Sequence, residues 1–204
     1  MPTPLTKPSN WNLPNALTTL RIVLVPLFGW LLLMDGGQNS VLRIWAFVVF
    51  LVAILTDRID GDIARRRNMV TDFGKLMDPI ADKALTGMAF VGLSIIGELW
   101  WWVTILVLVR EWGITLLRLW VIRYGVMAAG SGGKLKTVLQ SVALGAFILP
   151  LKILEDEWGS FATVLWWMAA ALMAAAITLT VVTGVDYVVK ALAVRREGRS
   201  SVKT

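Results

Sequence analysis

The chain has 204 residues, 57% of them hydrophobic, with mean hydropathy +0.70, and a soluble domain of that length could not hide so much apolar surface. It holds no Cys and no His, which excludes disulfides, a His-x-x-Glu-His zinc site, a Ser–His dyad and a His general base. Net charge is +6; no nucleic-acid partner is expected, and the placement of the charges says more than their sum.

Residues 1–13 are polar and Pro-rich, with Trp11 suited to a membrane interface. They lack the compact apolar core of a signal peptide, so the first apolar stretch is expected to be a retained transmembrane helix. Helix one is predicted from Pro14, a good first-turn residue, to Met34. Asp35-Gly36-Gly37 reads as a turn, helix two as 41–67, and Asn68 to Thr71 as a short link. Thr71 or Asp72 can cap helix three, which runs to about Ile96. Gly97-Glu98 is a tight turn before the belt residues Trp100, Trp101 and Trp102. Helix four runs to about Tyr124, Gly130 to Gly133 is a loop, and helix five covers 134–153. Glu155-Asp156-Glu157 is a loop, helix six runs from 160 to 195, and a disordered tail is expected over 196–204.

The uncharged runs are 22–34, 44–56, 84–97, 99–109, 137–151 and 158–185. On length, only the last is expected to cross a core of ~30 Å unaided. Each of the others continues into charged residues at one end, as would helices lining a polar cavity at one membrane face. The expectation is an all-α integral membrane protein: one domain, 14–195, of six transmembrane helices with a polar cavity open to the cytosolic face. With six spans, eighteen of the twenty basic residues share one side, leaving Arg43 and Lys152 on the other. The positive-inside rule then puts both termini and the cavity in the cytosol.

Asp57, Asp60, Gly61, Ala64 and Arg65 recur at helical spacing on one face of helix two, and Gly74, Asp78 and Asp82 on one face of helix three. The short link suggests that the two helices are antiparallel neighbours, so that four carboxylates converge. Their repulsion can be relieved by salt bridges with Arg58, Arg65 and Lys75, or by one or two hard cations such as Mg²⁺ or Mn²⁺. The alignment of Asp with small residues favours the cations. Gly61, Ala64 and Gly74 allow close helix packing, and also leave room for a flat base or a diphosphate.

The string Asp57-x2-Asp60-Gly61-x2-Ala64-Arg65-x8-Gly74-x3-Asp78-x3-Asp82 resembles the signature of the CDP-alcohol phosphatidyltransferase family at every position. The resemblance implies a six-helix membrane enzyme, usually a homodimer, with a two-metal site at the cytosolic face. It implies Asp57, Asp60 and Asp78 as metal ligands and Asp82 as a ligand or the general base. Gly61, Ala64, Arg65 and Gly74 would shape the cytidine and diphosphate site, together with Thr18. Two metals ~3.5–4 Å apart would suit attack of an alcohol on a diphosphate, and without His, Asp82 is the plausible proton acceptor.

The shared signature does not choose the alcohol. Asn12-Leu13-Pro14-Asn15-x2-Thr18-x2-Arg21, Asp78-Pro79-x2-Asp82-Lys83, Arg110-Glu111-x-Gly113-Ile114-Thr115-x2-Arg118 and Gly133-Lys134-x-Lys136-Thr137-x2-Gln140 are similar to the bacterial branch of the family that makes phosphatidylglycerophosphate. That similarity implies CDP-diacylglycerol as donor, glycerol 3-phosphate as acceptor and a bacterial inner-membrane location. Arg110, Arg118, Lys134 and Lys136, with Arg21, are the candidate contacts for the acceptor's phosphate. For Lys136 and Arg123 the competing reading is attraction to anionic membrane lipids, and Glu111 could simply pair with a basic neighbour. An inositol-phosphate acceptor would need a similar basic pocket. A cation channel would need charges through the midplane, whereas these cluster at one face.

Overall fold

A computed structural model describes residues 12–66, 71–121, 132–154 and 158–200, apart from the side chains of 58, 60–66, 72, 73, 75, 76, 118, 119, 121, 132, 134 and 194–200. Six long helices account for most of these residues: α1 (Leu13–Leu33), α2 (Ser40–Arg66), α3 (Asp72–Ile95), α4 (Trp101–Val121), α5 (Gly132–Ile148) and α6 (Ser160–Ser200). Three stretches are long and apolar enough to cross a membrane on their own, Leu13–Gly37, Ser40–Asp57 and Ser160–Ala193. The sequence reading allowed only the last, because it broke each run at its first charge. Those charges are now accounted for: Arg21 and Arg43 are each 1% exposed and ion-paired. The architecture is that of an all-α integral membrane protein, with many large apolar side chains of every helix turned outward.

The first three helices begin and end where capping chemistry puts them. Asn12 accepts the backbone N–H of Asn15 at 2.9 Å and Pro14 sits in the first turn. The Asp35-Gly36-Gly37 turn has positive φ at all three residues and is followed by Asn39, which accepts the N–H of Leu42 at 3.2 Å. Thr71 caps α3 by accepting the N–H of Gly74 at 3.1 Å.

Packing departs from the expected pairing of helices two and three. Among the described residues α2 touches α3 only sparsely, and α1 lies against both. Glycine eases the close approach of α1 to α3: a Cβ on Gly29 would come within 2.9 Å of Met88 Sδ, and one on Gly92 within 2.7 Å of Leu32 Cδ2, so either side chain would have to shift. The core gathers Phe28 and Leu32 of α1, Phe50 of α2, Phe90 and Leu93 of α3, Val107 of α4 and Leu144 and Ile148 of α5. The other half of the bundle is built by α6, which packs on α5 and α4.

Three boundaries differ from expectation. Helix five begins at Gly132, inside the expected loop, and ends at Ile148 instead of 153. Pro150 disfavours helix at Leu149. The Arg43 guanidinium from α2 then takes the carbonyls of Phe147, Ile148 and Leu149, the last two at 3.0 Å. Helix six continues to Ser200, past the expected start of the tail at 196, through Arg195, Arg196, Glu197 and Arg199, which are good helix formers. The end of helix four at Tyr124, the links 67–70, 122–131 and 155–157, residues 1–11 and the terminal 201–204 lie outside the described residues.

The two basic residues that break the expected charge bias, Arg43 and Lys152, meet a common partner. Arg43 Nη1 donates to Glu98 Oε1 at 2.7 Å, and Lys152 lies 2.9 Å from Glu98 Oε2. The two exceptions to the charge bias thus share one carboxylate on the α3–α4 turn.

Candidate active site

Helix α1 brings a polar stripe into an apolar bundle. Asn15, Thr18 and Arg21 are spaced three apart, are all buried, and each meets the aspartate region. Thr18 Oγ1 donates to Asp78 Oδ1 at 2.6 Å. Arg21 Nη1 donates to Asp57 Oδ1 in a short ion pair. Asn15 Oδ1 accepts from the Thr71 hydroxyl at 2.9 Å, and Thr71 in turn caps the turn that holds Gly74. Among the described residues α1 lies against both α2 and α3, and its side chains hold a carboxylate of each.

Asp57 and Asp82 line one cavity of about 50 Å³ with Arg21, Thr86, Thr137 and Ser141. Asp78 is not among its walls; it faces Thr18 one turn away on α1. Asp82 is exposed, and Asp57 and Asp78 are partly so. Asp60, Gly61, Ala64 and Arg65 lie at the end of α2, but their side chains are outside the described set. Among the described residues no three carboxylates converge tightly enough to form a ready-made metal cluster.

The residues present nevertheless fit hard divalent cations. The donors at this end are carboxylate oxygens, with hydroxyls of Thr18, Thr86 and Thr137 beside them, and the chain holds no thiol or imidazole. Gly74 keeps a space open beside them. A Cβ there would lie 3.0 Å from Asn15 Oδ1, 3.4 Å from Thr71 Oγ1 and 3.9 Å from Asp78 Oδ2. Arg21 neutralises part of the negative charge.

The basic candidates form a second centre around residue 111 of α4. Glu111 Oε1 accepts from Arg110 Nη1 at 3.0 Å and from Lys136 Nζ of α5 in a close ion pair. Arg110 Nη2 also donates to Thr183 of α6 at 2.7 Å, and Gly184 leaves room for the arginine, since a Cβ there would sit 3.3 Å from Arg110 Cγ. Lys83, next to Asp82, donates to the Glu111 carbonyl at 3.3 Å and to the Thr115 hydroxyl, and lies over the Trp112 ring. Asp82 lies within electrostatic reach of Arg21 and Asp57 on one side and of Lys83 and Glu111 on the other. Arg21 thus stands with the aspartates, apart from the basic centre to which it was assigned. Arg118 and Lys134 lie on α4 and α5, their side chains not described.

Sequence reasoning gave no role to Asn15, Thr71 beyond its cap, Lys83 or Thr115. Asn15 had a readable signal, a polar residue three before Thr18 on an otherwise apolar face. The Lys83–Thr115 contact joins two helices and has none.

Residues 11–182 match the CDP-alcohol phosphatidyltransferase family. A Mycobacterium tuberculosis protein named "Probable phosphatidylglycerophosphate synthase" is 52% identical over 181 residues, covering 89% of this chain and 82% of the relative. The Bacillus subtilis CDP-diacylglycerol–glycerol-3-phosphate 3-phosphatidyltransferase is 35% identical over 187 residues, 87% of this chain and 93% of its own. Its Escherichia coli counterpart is 33% identical over 171 residues, 80% of this chain and 88% of its own. With the family match running from the start of α1 into α6 and these relatives aligned along most of their length, the chain belongs to the CDP-alcohol phosphatidyltransferase family.

Proposed function

We propose that this transferase moves the phosphatidyl group of CDP-diacylglycerol to glycerol 3-phosphate, giving phosphatidylglycerophosphate and CMP. An acceptor hydroxyl attacks the phosphorus that carries the diacylglycerol. The bond from that phosphorus to the CMP oxygen breaks, and the hydroxyl proton passes to Asp82. Asp57, Asp60, Asp78 and Asp82 would hold Mg²⁺ or Mn²⁺, which would neutralise the diphosphate and the leaving CMP. Thr18 holds Asp78, and Arg21 holds Asp57. Gly74, with Gly61 and Ala64, leaves room for the donor's nucleotide, and Arg65 would shape the diphosphate site with them. Arg110 and Lys136, with Arg118 and Lys134, supply positive charge for the acceptor's phosphate.

The observation that carries this reading is the shared cavity of Asp57 and Asp82, with the Arg110–Glu111–Lys136 centre within electrostatic reach of Asp82. It sets a proton acceptor between a carboxylate site for the donor and a cationic site for an anionic alcohol. The names of the aligned relatives agree with it. The bias of basic residues supports cytosolic termini in a bacterial inner membrane, and the family resemblance supports a homodimer.

The test is the purified chain with CDP-diacylglycerol and an equimolar mixture of glycerol 3-phosphate, inositol phosphate, serine, inositol and glycerol, with products read by mass spectrometry. Phosphatidylglycerophosphate is the expected product. Preference for inositol phosphate would keep the basic pocket and change the alcohol; preference for a neutral alcohol would overturn the pocket itself.

A further inference from the structure

We propose that the Glu111 carboxylate is an internal stand-in for the acceptor's phosphate, which must release Lys136 before an anionic acceptor can bind. The inference rests on the reading of Arg110 and Lys136 as the acceptor's phosphate contacts. Lys136 is 4% exposed, and among the described residues its ammonium reaches one acceptor, Glu111 Oε1. The same oxygen takes Arg110 Nη1. One carboxylate oxygen therefore sits where two cations, one from α4 and one from α5, converge, the position an incoming anion would seek. Lys83, bound to the backbone of residue 111, adds a third positive charge.

The charge balance favours exchange. Around Glu111 stand Arg110, Lys136 and Lys83, against Glu111 and, further off, Asp82. A buried centre with spare positive charge gains from a second anion. A phosphate brings up to two charges and three terminal oxygens, against the single carboxylate oxygen that now serves both cations. Among the described residues the buried Arg110 Nε meets no acceptor, so the arginine keeps unused donor capacity. A neutral alcohol has nothing with which to displace the carboxylate, and the ion pair then stays closed. Glu111 in this way sets a threshold that only an anionic acceptor passes.

Inorganic phosphate is the probe, used as a competitive inhibitor against glycerol 3-phosphate with the full-length purified protein. Glu111→Gln keeps the shape and removes the competing charge. It is expected to lower both the phosphate inhibition constant and the KM for glycerol 3-phosphate by about tenfold, with the KM for CDP-diacylglycerol unchanged. Lys136→Ala should raise both constants. Glu111→Asp, a second variant that retains the charge, should stay close to the parent. If Glu111→Gln leaves phosphate binding unchanged or weaker while Lys136→Ala weakens it, Glu111 merely ties α4 to α5 and the proposal is wrong. If Lys136→Ala leaves phosphate binding as it was, the acceptor-site reading fails, and this inference with it.

Discussion

Thr18 gives its hydroxyl to Asp78 at 2.6 Å, across the interface between α1 and α3. Thr18 is 2% exposed and its oxygen also lies 3.1 Å from the carbonyl of Pro14, so its single proton points to either of two acceptors and the ionised carboxylate is the stronger one. A hydrogen bond to a charged group contributes roughly 1.5–3 kcal/mol. Thr18→Val keeps the shape and removes the donor. It should lower kcat/KM for the CDP-lipid on the order of ten- to a hundredfold, and Thr18→Ser should restore most of it. Unchanged kinetics with a lowered melting temperature would show that the bond is only structural.

Asp57→Asn and Asp78→Asn should each nearly abolish turnover while the protein stays folded. Asn can still accept from Arg21 or Thr18, so the helix contacts survive, but a negative charge needed by a divalent cation is gone. Turnover should also vanish in excess chelator and return on adding Mg²⁺ or Mn²⁺. Full activity in chelator would end the metal reading.

Helical spacing alone puts Asp57 with Asp60 and Asp78 with Asp82 in the sequence, whereas Thr18 and Arg21 of α1 stand out there only through the family resemblance. What spacing cannot show is which helix fills the gap between two others. A short link in the sequence leaves the packing partners of α2 and α3 open, and among the described residues α1 packs on both. The counter-ion role of Arg21 follows from this packing, so it could not be read from spacing. Arg43 is the same lesson at the other end. It looked like a stray exception to the charge bias, yet its partners lie more than a hundred residues away on α5.

Gly74→Ala should impair the donor site more than the fold. The added Cβ would stand 3.0 Å from Asn15 Oδ1, with Thr71 Oγ1 and Asp78 Oδ2 close behind. The polar neighbours are fixed by their own hydrogen bonds and cannot give way without moving Asp78 or the α3 cap. The expected result is at least a tenfold rise in KM for CDP-diacylglycerol, roughly the cost of one charge-assisted contact. Gly113→Ala is the control, because a Cβ there meets nothing within 4 Å. Equal kinetics for Gly74→Ala and the parent would mean that the space beside Asp78 is not used by the substrate.

Arg43→Met should destabilise the protein without touching the chemistry. The guanidinium is 1% exposed, binds three carbonyls at the end of α5 and pairs with Glu98, itself only 10% exposed. Removing one member of a buried pair costs about 3–5 kcal/mol, which for a domain of this size corresponds to a fall in melting temperature of roughly 6–20 °C. The loss has two separable parts. Glu98 keeps Lys152 as a partner, so the orphaned carbonyls should account for most of it. Arg43→Lys restores the charge but not the planar fork that spans several acceptors, and should recover only part. Arg43→Met combined with Glu98→Gln removes the stranded carboxylate while leaving the carbonyls bare. If the carbonyls dominate, the double variant should melt close to the single one. Complete recovery in the double variant would instead show that the stability resides in the Arg43–Glu98 pair, and that the end of α5 is fixed by Pro150 alone.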